Sequence, residues 1–290
     1  MLLNYEFSAN LMKTAVNGLS GRNRCSREVR SAIGANGSAM IDLAGHRIVV
    51  TGAAGGIGSA MVEVLAGFGA AVVACDIDGA DLGLPGVAEA HHFDLMDDAA
   101  IEAAAAEICA GGAPDAVISN AGWTRAETLA DVSADALSHE LNLNLRSAAR
   151  LSQAFLPAMR ERGGGAFVFI SSVNALSHYG NPAYAAAKAG LLAWMRAIAT
   201  EEGRNGIRAN AIAPGSVRTM AWNHRIERDP AILGKVKQLY PLGRMVEPAE
   251  VARAAAFLVS SLASGITGTV LPVDAGISAG NLPFLEQIAV

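Results

Sequence analysis

From Ile41 onward the chain alternates between two patterns. Short apolar, β-branched runs occupy 47–51, 71–76, 90–94, 115–119, 166–171, 207–212 and 269–273. Runs that are apolar at nearly every position suit parallel strands buried on both faces. Between them lie Ala-rich stretches at 57–68, 98–110, 133–161, 182–203 and 248–260, with apolar residues three and four apart. That spacing predicts helices. Strands alternating with helices predict an α/β chain whose parallel sheet is covered on both faces, and right-handed crossovers make it doubly wound. No internal repeat or interdomain linker interrupts the pattern, so 41–290 reads as one domain.

Residues 1–40 differ. They carry five Lys/Arg (Lys13, Arg22, Arg24, Arg27, Arg30) against Glu6 and Glu28, and no long apolar face develops. The segment is expected to be a disordered extension, or the product of an upstream start with Met40 as the true first residue. Its Arg and Ser content also fits a targeting peptide, a reading that the two glutamates weaken.

Composition narrows the class of protein. The chain has 290 residues, 52% of them hydrophobic and 17% charged, which fits one large domain. Its net charge of −5 argues against a general nucleic-acid binder. The stretch from Gly55 to Cys75 approaches the hydrophobicity of a membrane span. Glu63, its glycines and a switch from helix to strand mark it instead as buried core, so no membrane partner is expected. Cys25, Cys75 and Cys109 stand far apart, which suggests a reducing, cytoplasmic setting. His91-His92 has no third ligand nearby in the sequence, and no metal is proposed.

The chemistry begins at Thr51-Gly-Ala-Ala-Gly-Gly-Ile-Gly58, which follows the first strand and opens a helix. A glycine turn leading into a helix N-terminus gathers backbone N–H groups where a pyrophosphate binds. Gly52 permits the turn, Gly56 lets phosphate approach the backbone, and Gly58 lets helix and strand pack closely. Asp76 ends the second strand, where a carboxylate accepts hydrogen bonds from an adenosine ribose and repels a 2′-phosphate. Ile77 and Asp78 supply no compensating cation, so NAD is favoured over NADP. Asp94 ends the third run and is placed to meet the adenine edge. Asn120-Ala121-Gly122 ends the fourth with small residues that let backbone lie along a flat ligand.

Tyr184 and Lys188 lie four apart on a predicted helix and share a face. An ammonium beside a phenol stabilises the phenolate and is expected to lower the tyrosine pKa. Phe169-Ile170-Ser171-Ser172 ends a strand twelve residues earlier. A serine there faces the crevice at the strand ends and can donate to a carbonyl oxygen. Ser172 is favoured over Ser171.

These pieces together resemble the classical short-chain dehydrogenase/reductase family over residues 41–276. The resemblance rests on Thr51–Gly58, Asp76, Asp94, Asn120–Gly122, Asn144, Ser172, Tyr184, Lys188, Arg208–Asn210, Pro214-Gly215 and Val273-Asp274-Ala275-Gly276. In the last of these the family usually has Gly where Ala275 stands. The resemblance implies a single Rossmann-type domain and an enzyme that interconverts a secondary alcohol and a ketone by hydride transfer. It implies that Tyr184 is the general acid and base and that Ser172 polarises the carbonyl. Lys188 would bind the nicotinamide ribose and depress the tyrosine pKa, and Asn144 would hold a relay water. The implied cofactor contacts are Gly52, Gly55, Gly56, Ile57, Gly58, Asp76, Asp94, Leu95, Asn120, Ala121, Gly122, Tyr184, Lys188, Pro214, Gly215, Val217 and Thr219.

Trp123, His178, Trp222 and Arg225 join Ser172 and Tyr184 as candidate substrate contacts, and 220–245 is expected to be a lid. The substrate expected is small and polar: a hydroxy acid, a polyol or a sugar derivative. A 3-oxoacyl-[acyl-carrier-protein] reductase-like enzyme is the first alternative, and a non-catalytic NAD-sensing regulator is the second. The long helices at 133–161 and 182–203 predict a homodimer or homotetramer, on which the apolar tail Leu282–Leu285 could dock.

Overall fold

The computed structural model describes residues 41–124, 128–222, 226–227 and 229–288. The expected extension 1–40 and the candidate contact Arg225 lie outside them. Seven strands form one parallel sheet: β1 (Arg47–Thr51), β2 (Ala71–Asp76), β3 (Val87–His92), β4 (Ala116–Ser119), β5 (Gly165–Ile170), β6 (Ile207–Pro214) and β7 (Val270–Val273). Their spatial order is β3-β2-β1-β4-β5-β6-β7. The order reverses between β1 and β4, and a doubly wound sheet binds its ligand in the crevice beyond those strand ends.

Helices cover both faces. On one side α2 (Asp98–Ala110), α4 (Ser147–Arg162) and α5 (Pro182–Glu201) share a core with Val49, Val73, Val117, Phe167 and Phe169 of the sheet. Ile101 and Ile108, then Leu151, Phe155 and Met159, then Leu191 and Met195 supply the helix side of that core. The intervening strand residues face the other way, where α1 (Gly56–Gly67) packs on α7 (Pro248–Val259). Burial of this apolar surface, at about 25 cal/mol per Å², is the main force holding the layers.

The alternation locates every strand, with one displaced. The run expected at 90–94 forms a strand at Val87–His92, and its burial alternates. β3 is an edge strand, so one side of it lies open and its sequence lacks a continuous apolar run.

The helix expected over 133–161 is three pieces: α3 (Ala134–Leu141), a π turn (Asn142–Arg146) and α4. No glycine or proline marks the turn. α5 presses against it at Gly190, where a Cβ would stand 2.8 Å from Leu145 Cδ2. Two short helices lie beyond the sequence expectations, α6 (Ile232–Lys237) within the lid region and α8 (Leu282–Ile288) at the tail. Among the described residues no helix is long and apolar enough to cross a membrane.

Candidate active site

Strand ends bring the chemistry together. Thr51 ends β1, and its Oγ1 accepts hydrogen bonds from the backbone N–H groups of Asn120 (3.1 Å) and Ala121 (3.2 Å). Asn120 Nδ2 in turn donates to the Thr51 and Gly52 carbonyls at 2.9 and 3.1 Å. The switch point is thereby locked.

Gly58 permits the turn before α1: a Cβ there would lie 1.9 Å from the Gly52 carbonyl oxygen. Gly52 has a φ of 65°, and Gly56 faces Thr219, whose Cγ2 would be 2.8 Å from a Cβ. Gly55 stands at the N-cap of α1, and its carbonyl accepts from Ser59 N–H. At the end of β2 the Asp76 carboxylate accepts one backbone N–H on each oxygen, Ala54 at 2.9 Å and Ile77 at 2.8 Å. The carboxylate is thus fixed in place at the rim.

Two adjoining cavities open along this edge. One, of about 380 Å³, is lined by Thr51, Gly52, Asp76, Asp94, Leu95 and Ala121, among others. The other, of about 450 Å³, holds Ile57, Asn120, Ser172, Tyr184, Lys188, Pro214, Gly215, Val217, Thr219 and Trp222. Gly122 and Trp123 border both. A Cβ on Gly122 would stand 2.7 Å from Asn144 Oδ1 and 3.2 Å from Lys188 Nζ, so the passage between the cavities requires a residue without a side chain.

Ser172 lies close enough to Tyr184 to favour its phenolate, and Ser172 Oγ accepts from Asn174 N–H at 3.1 Å. The Ser171 hydroxyl donates to the Lys188 carbonyl at 3.1 Å. Lys188 is buried. Its Nζ donates to the Ile170 carbonyl at 2.8 Å and lies over the Tyr184 ring, 5.5 Å from the centroid.

Burial pulls the Lys188 pKa down to about 8, opposed by the nearby Glu140 charge. The Tyr184 pKa is pushed up to about 12, against the expectation that lysine would lower it. The physical reason is that desolvation of the phenolate exceeds the help from Ser172, and Glu140 adds repulsion. The ammonium meets the ring face rather than the phenol oxygen.

Asn144 sits in the π turn, buried, with Oδ1 accepting from Trp123 N–H at 3.2 Å and Nδ2 donating to the Trp123 carbonyl at 2.9 Å. His178 is exposed and is not among the residues lining either cavity.

Sequence reasoning missed Thr124, Asn181 and Ser216, which line the larger cavity. Asn181 has a left-handed backbone (φ 50°) directly before the Pro182 that opens α5. An Asn-Pro pair at a helix start is a turn signal that could have drawn notice. Buried Glu140 was missed too, although its i,i+4 spacing from Asn144 was legible.

A doubly wound sheet with a glycine turn at its switch point and a Ser–Tyr–Lys crevice defines a nicotinamide-linked oxidoreductase class. The family model described as Enoyl-(Acyl carrier protein) reductase matches residues 52–278. The chain belongs to the classical short-chain dehydrogenase/reductase family, whose members bind a nicotinamide cofactor and act on small molecules.

An uncharacterized oxidoreductase of Schizosaccharomyces pombe is 37% identical over 84% of this chain and 95% of its own length. The mouse (3R)-3-hydroxyacyl-CoA dehydrogenase is 35% identical over 79% of this chain and 95% of its own. A 2,5-dichloro-2,5-cyclohexadiene-1,4-diol dehydrogenase of Sphingobium indicum is 32% identical over 83% of this chain and all of its own.

Among solved structures, a short-chain dehydrogenase/reductase family oxidoreductase from Burkholderia thailandensis superposes with a TM-score of 0.80. It is 38% identical over 84% of this chain and 97% of its own. An NADPH-bound short-chain oxidoreductase from Pseudomonas aeruginosa, with an atypical catalytic centre, has a TM-score of 0.76 and 35% identity over 83% of this chain and all of its own.

Proposed function

We propose that the protein is an NAD-dependent dehydrogenase that interconverts a secondary alcohol and a ketone on a small, polar substrate. The observation that carries this reading is the meeting of Ser172, Tyr184 and Lys188 in the larger cavity, which joins the Asp76 cavity through Gly122. The cradle fits a dinucleotide. The Gly52–Gly58 turn and the α1 N-terminus suit its phosphates, and the anchored Asp76 carboxylate suits an unphosphorylated ribose diol while repelling a 2′-phosphate. Asp94 and Leu95 would border the adenine. Pro214, Gly215, Val217 and Thr219 would border the nicotinamide end. When bound, the nicotinamide exchanges a hydride with the substrate's carbinol or carbonyl carbon.

The protein's own groups handle the oxygen and its proton. Ser172 Oγ and Tyr184 Oη hold the substrate oxygen between them. Tyr184 takes the hydroxyl proton in oxidation and returns it in reduction. Lys188 presents positive charge to the cofactor ribose and to the phenolate as it forms, and Asn144 holds the π turn against Trp123. Trp123 and Trp222 wall the substrate end, and Thr124, Asn181 and Ser216 offer it polar groups. Lys188 is the only charged side chain among the described lining residues of this cavity. The diol dehydrogenase relative favours a polyol, cyclic diol or sugar derivative among the small polar substrates.

The second reading is a 3-oxoacyl thioester reductase-like enzyme, favoured by the family model and by the hydroxyacyl-CoA relative. A cytoplasmic homodimer or homotetramer completes the proposal. The test is an absorbance screen at 340 nm with NAD and NADP against polyols, cyclic diols, hydroxy acids and hydroxyacyl thioesters, repeated with Tyr184→Phe. NAD-linked turnover is expected, falling by about a thousandfold in the variant with NAD affinity retained. Turnover unchanged by Tyr184→Phe would sink the mechanism. NAD binding without any turnover would favour a sensing role.

A further inference from the structure

The proposed chemistry uses Asn144, Ser172, Tyr184 and Lys188, yet a further ionisable group is enclosed with them. Glu140, on the last turn of α3, is 2% exposed. Its Oε2 accepts from Asn144 Nδ2 at 2.8 Å, and its own carbonyl lies 3.2 Å from the same nitrogen. Glu140 and Asn144 stand four residues apart, on α3 and the π turn that follows it. Asn144 Oδ1 and Lys188 Nζ in turn flank the same side of Gly122.

A buried carboxylate and a buried ammonium are each costly alone and offset one another when close. Lys188 is 3% exposed, and its ammonium donates to a neutral carbonyl oxygen, which leaves its charge to be balanced by something beyond that bond.

We propose that Glu140 is a positioning residue of the catalytic centre, the buried carboxylate that balances the charge of Lys188 and fixes the Asn144 amide. The inference rests on the dehydrogenase reading for its meaning, though its physical content does not need turnover. Tyr184 and Lys188 of α5 both feel the Glu140 charge, which favours the ammonium and the neutral phenol. His139, beside Glu140 on α3, stands edge-on to the Trp123 ring, 6.2 Å between centroids. Loss of the carboxylate charge would ease deprotonation at both Lys188 and Tyr184, so each would titrate at lower pH than in the native chain.

The experiment is an NMR titration of the full chain labelled at lysine Cε, with Glu140→Gln compared with wild type. The chain has four lysines, Lys13, Lys188, Lys235 and Lys237, and the Lys188→Met spectrum assigns the signal. The expected result is a Lys188 midpoint moved to lower pH in Glu140→Gln, with the other three unmoved. Glu140→Asp, whose carboxylate is set back by one methylene, should move it less. With a substrate in hand, the alkaline limb of kcat moves the same way.

An unmoved Lys188 midpoint in a folded Glu140→Gln protein overturns the proposal and leaves Glu140 as a helix clamp. If Glu140→Gln does not fold, Glu140→Asp carries the test through its own Lys188 midpoint, which must differ from that of wild type. Wild type that binds NAD without turnover would count against the dehydrogenase reading, and the lysine titration would still decide this one.

Discussion

The two cavities that meet at Gly122 are made by different means. The Asp76 side is built from backbone: carbonyls, N–H groups and positions where a Cβ has no room, with Thr51 and Asn120 tying the strand ends together. The Tyr184 side is built from side chains: Ser172 just beyond β5, Tyr184 and Lys188 on α5, and Asn144 of the π turn behind Gly122. A backbone cradle constrains sequence at fixed places and recognises a shape common to all dinucleotides. A side-chain crevice constrains a few reactive atoms and leaves its walls free to vary with substrate.

The contrast can be broken most severely at Gly58. Gly58→Ala pushes a methyl against the Gly52 carbonyl, where only 1.9 Å is available. Dinucleotide binding by calorimetry should vanish, with a stability loss of about 3 kcal/mol in urea unfolding. Retained binding would show that the turn yields.

The Asp76 carboxylate is a charged side chain that the backbone of this rim holds in place. Asp76→Ala should cost about tenfold in NAD affinity while moving the NAD/NADP ratio towards NADP by a similar factor. Equal ratios in both proteins would remove the electrostatic argument.

On the catalytic side, the outer end of α5 is held by Glu202. Its carboxylate pairs with Arg160 Nε at 2.8 Å, and the Arg160 guanidinium lowers its pKa to about 2. A depressed carboxylate stabilises the fold above its unfolded pKa of 4.5 and loses that contribution as pH falls towards 2. Glu202→Gln should therefore lower stability at neutral pH by about 2 kcal/mol and flatten the loss of stability between pH 4.5 and 2, read by urea unfolding across that range. An acid limb as steep as the native one would refute it.

The smallest effect is expected at Ala275, which has a φ of 50° where glycine is at ease. Ala275→Gly should stabilise the protein by about 0.5–1 kcal/mol, raising Tm slightly.

The same contrast explains what the sequence could disclose. Gly52, Gly56 and Gly58 are legible because steric need leaves a residue no alternative. The central strands are legible for a different reason: Ile48, Val49 and Val50 are buried on both faces of the sheet, so every position in the run is apolar. β3 lies away from its expected run because it is an edge strand with no buried residue: Val87, Glu89 and His91 are half covered and Ala88, Ala90 and His92 are exposed, so no apolar run marks it. The π turn is invisible because Leu141–Arg146 reads as ordinary helix, and the close approach of α5 to it at Gly190 comes from far along the chain. Glu140 reads as a solvated helix residue until the fold closes over it. The direction of the Tyr184 pKa runs against expectation because spacing reports which charge is near and says nothing of how much water is lost.

The π turn has a consequence for phase. In it Ser147 N–H reaches back five residues to the Asn142 carbonyl, so α4 begins about 100° out of step with α3. The face of α3 and the turn that bears Glu140 and Asn144 is thereby uncoupled from the face of α4 that bears Leu151, Phe155 and Met159. One continuous length of chain meets two surfaces of different chemistry; removing a single residue between 142 and 146 would let an unbroken α-helix keep both faces in place, whereas regular α-helix at the present length would have to give one of them up.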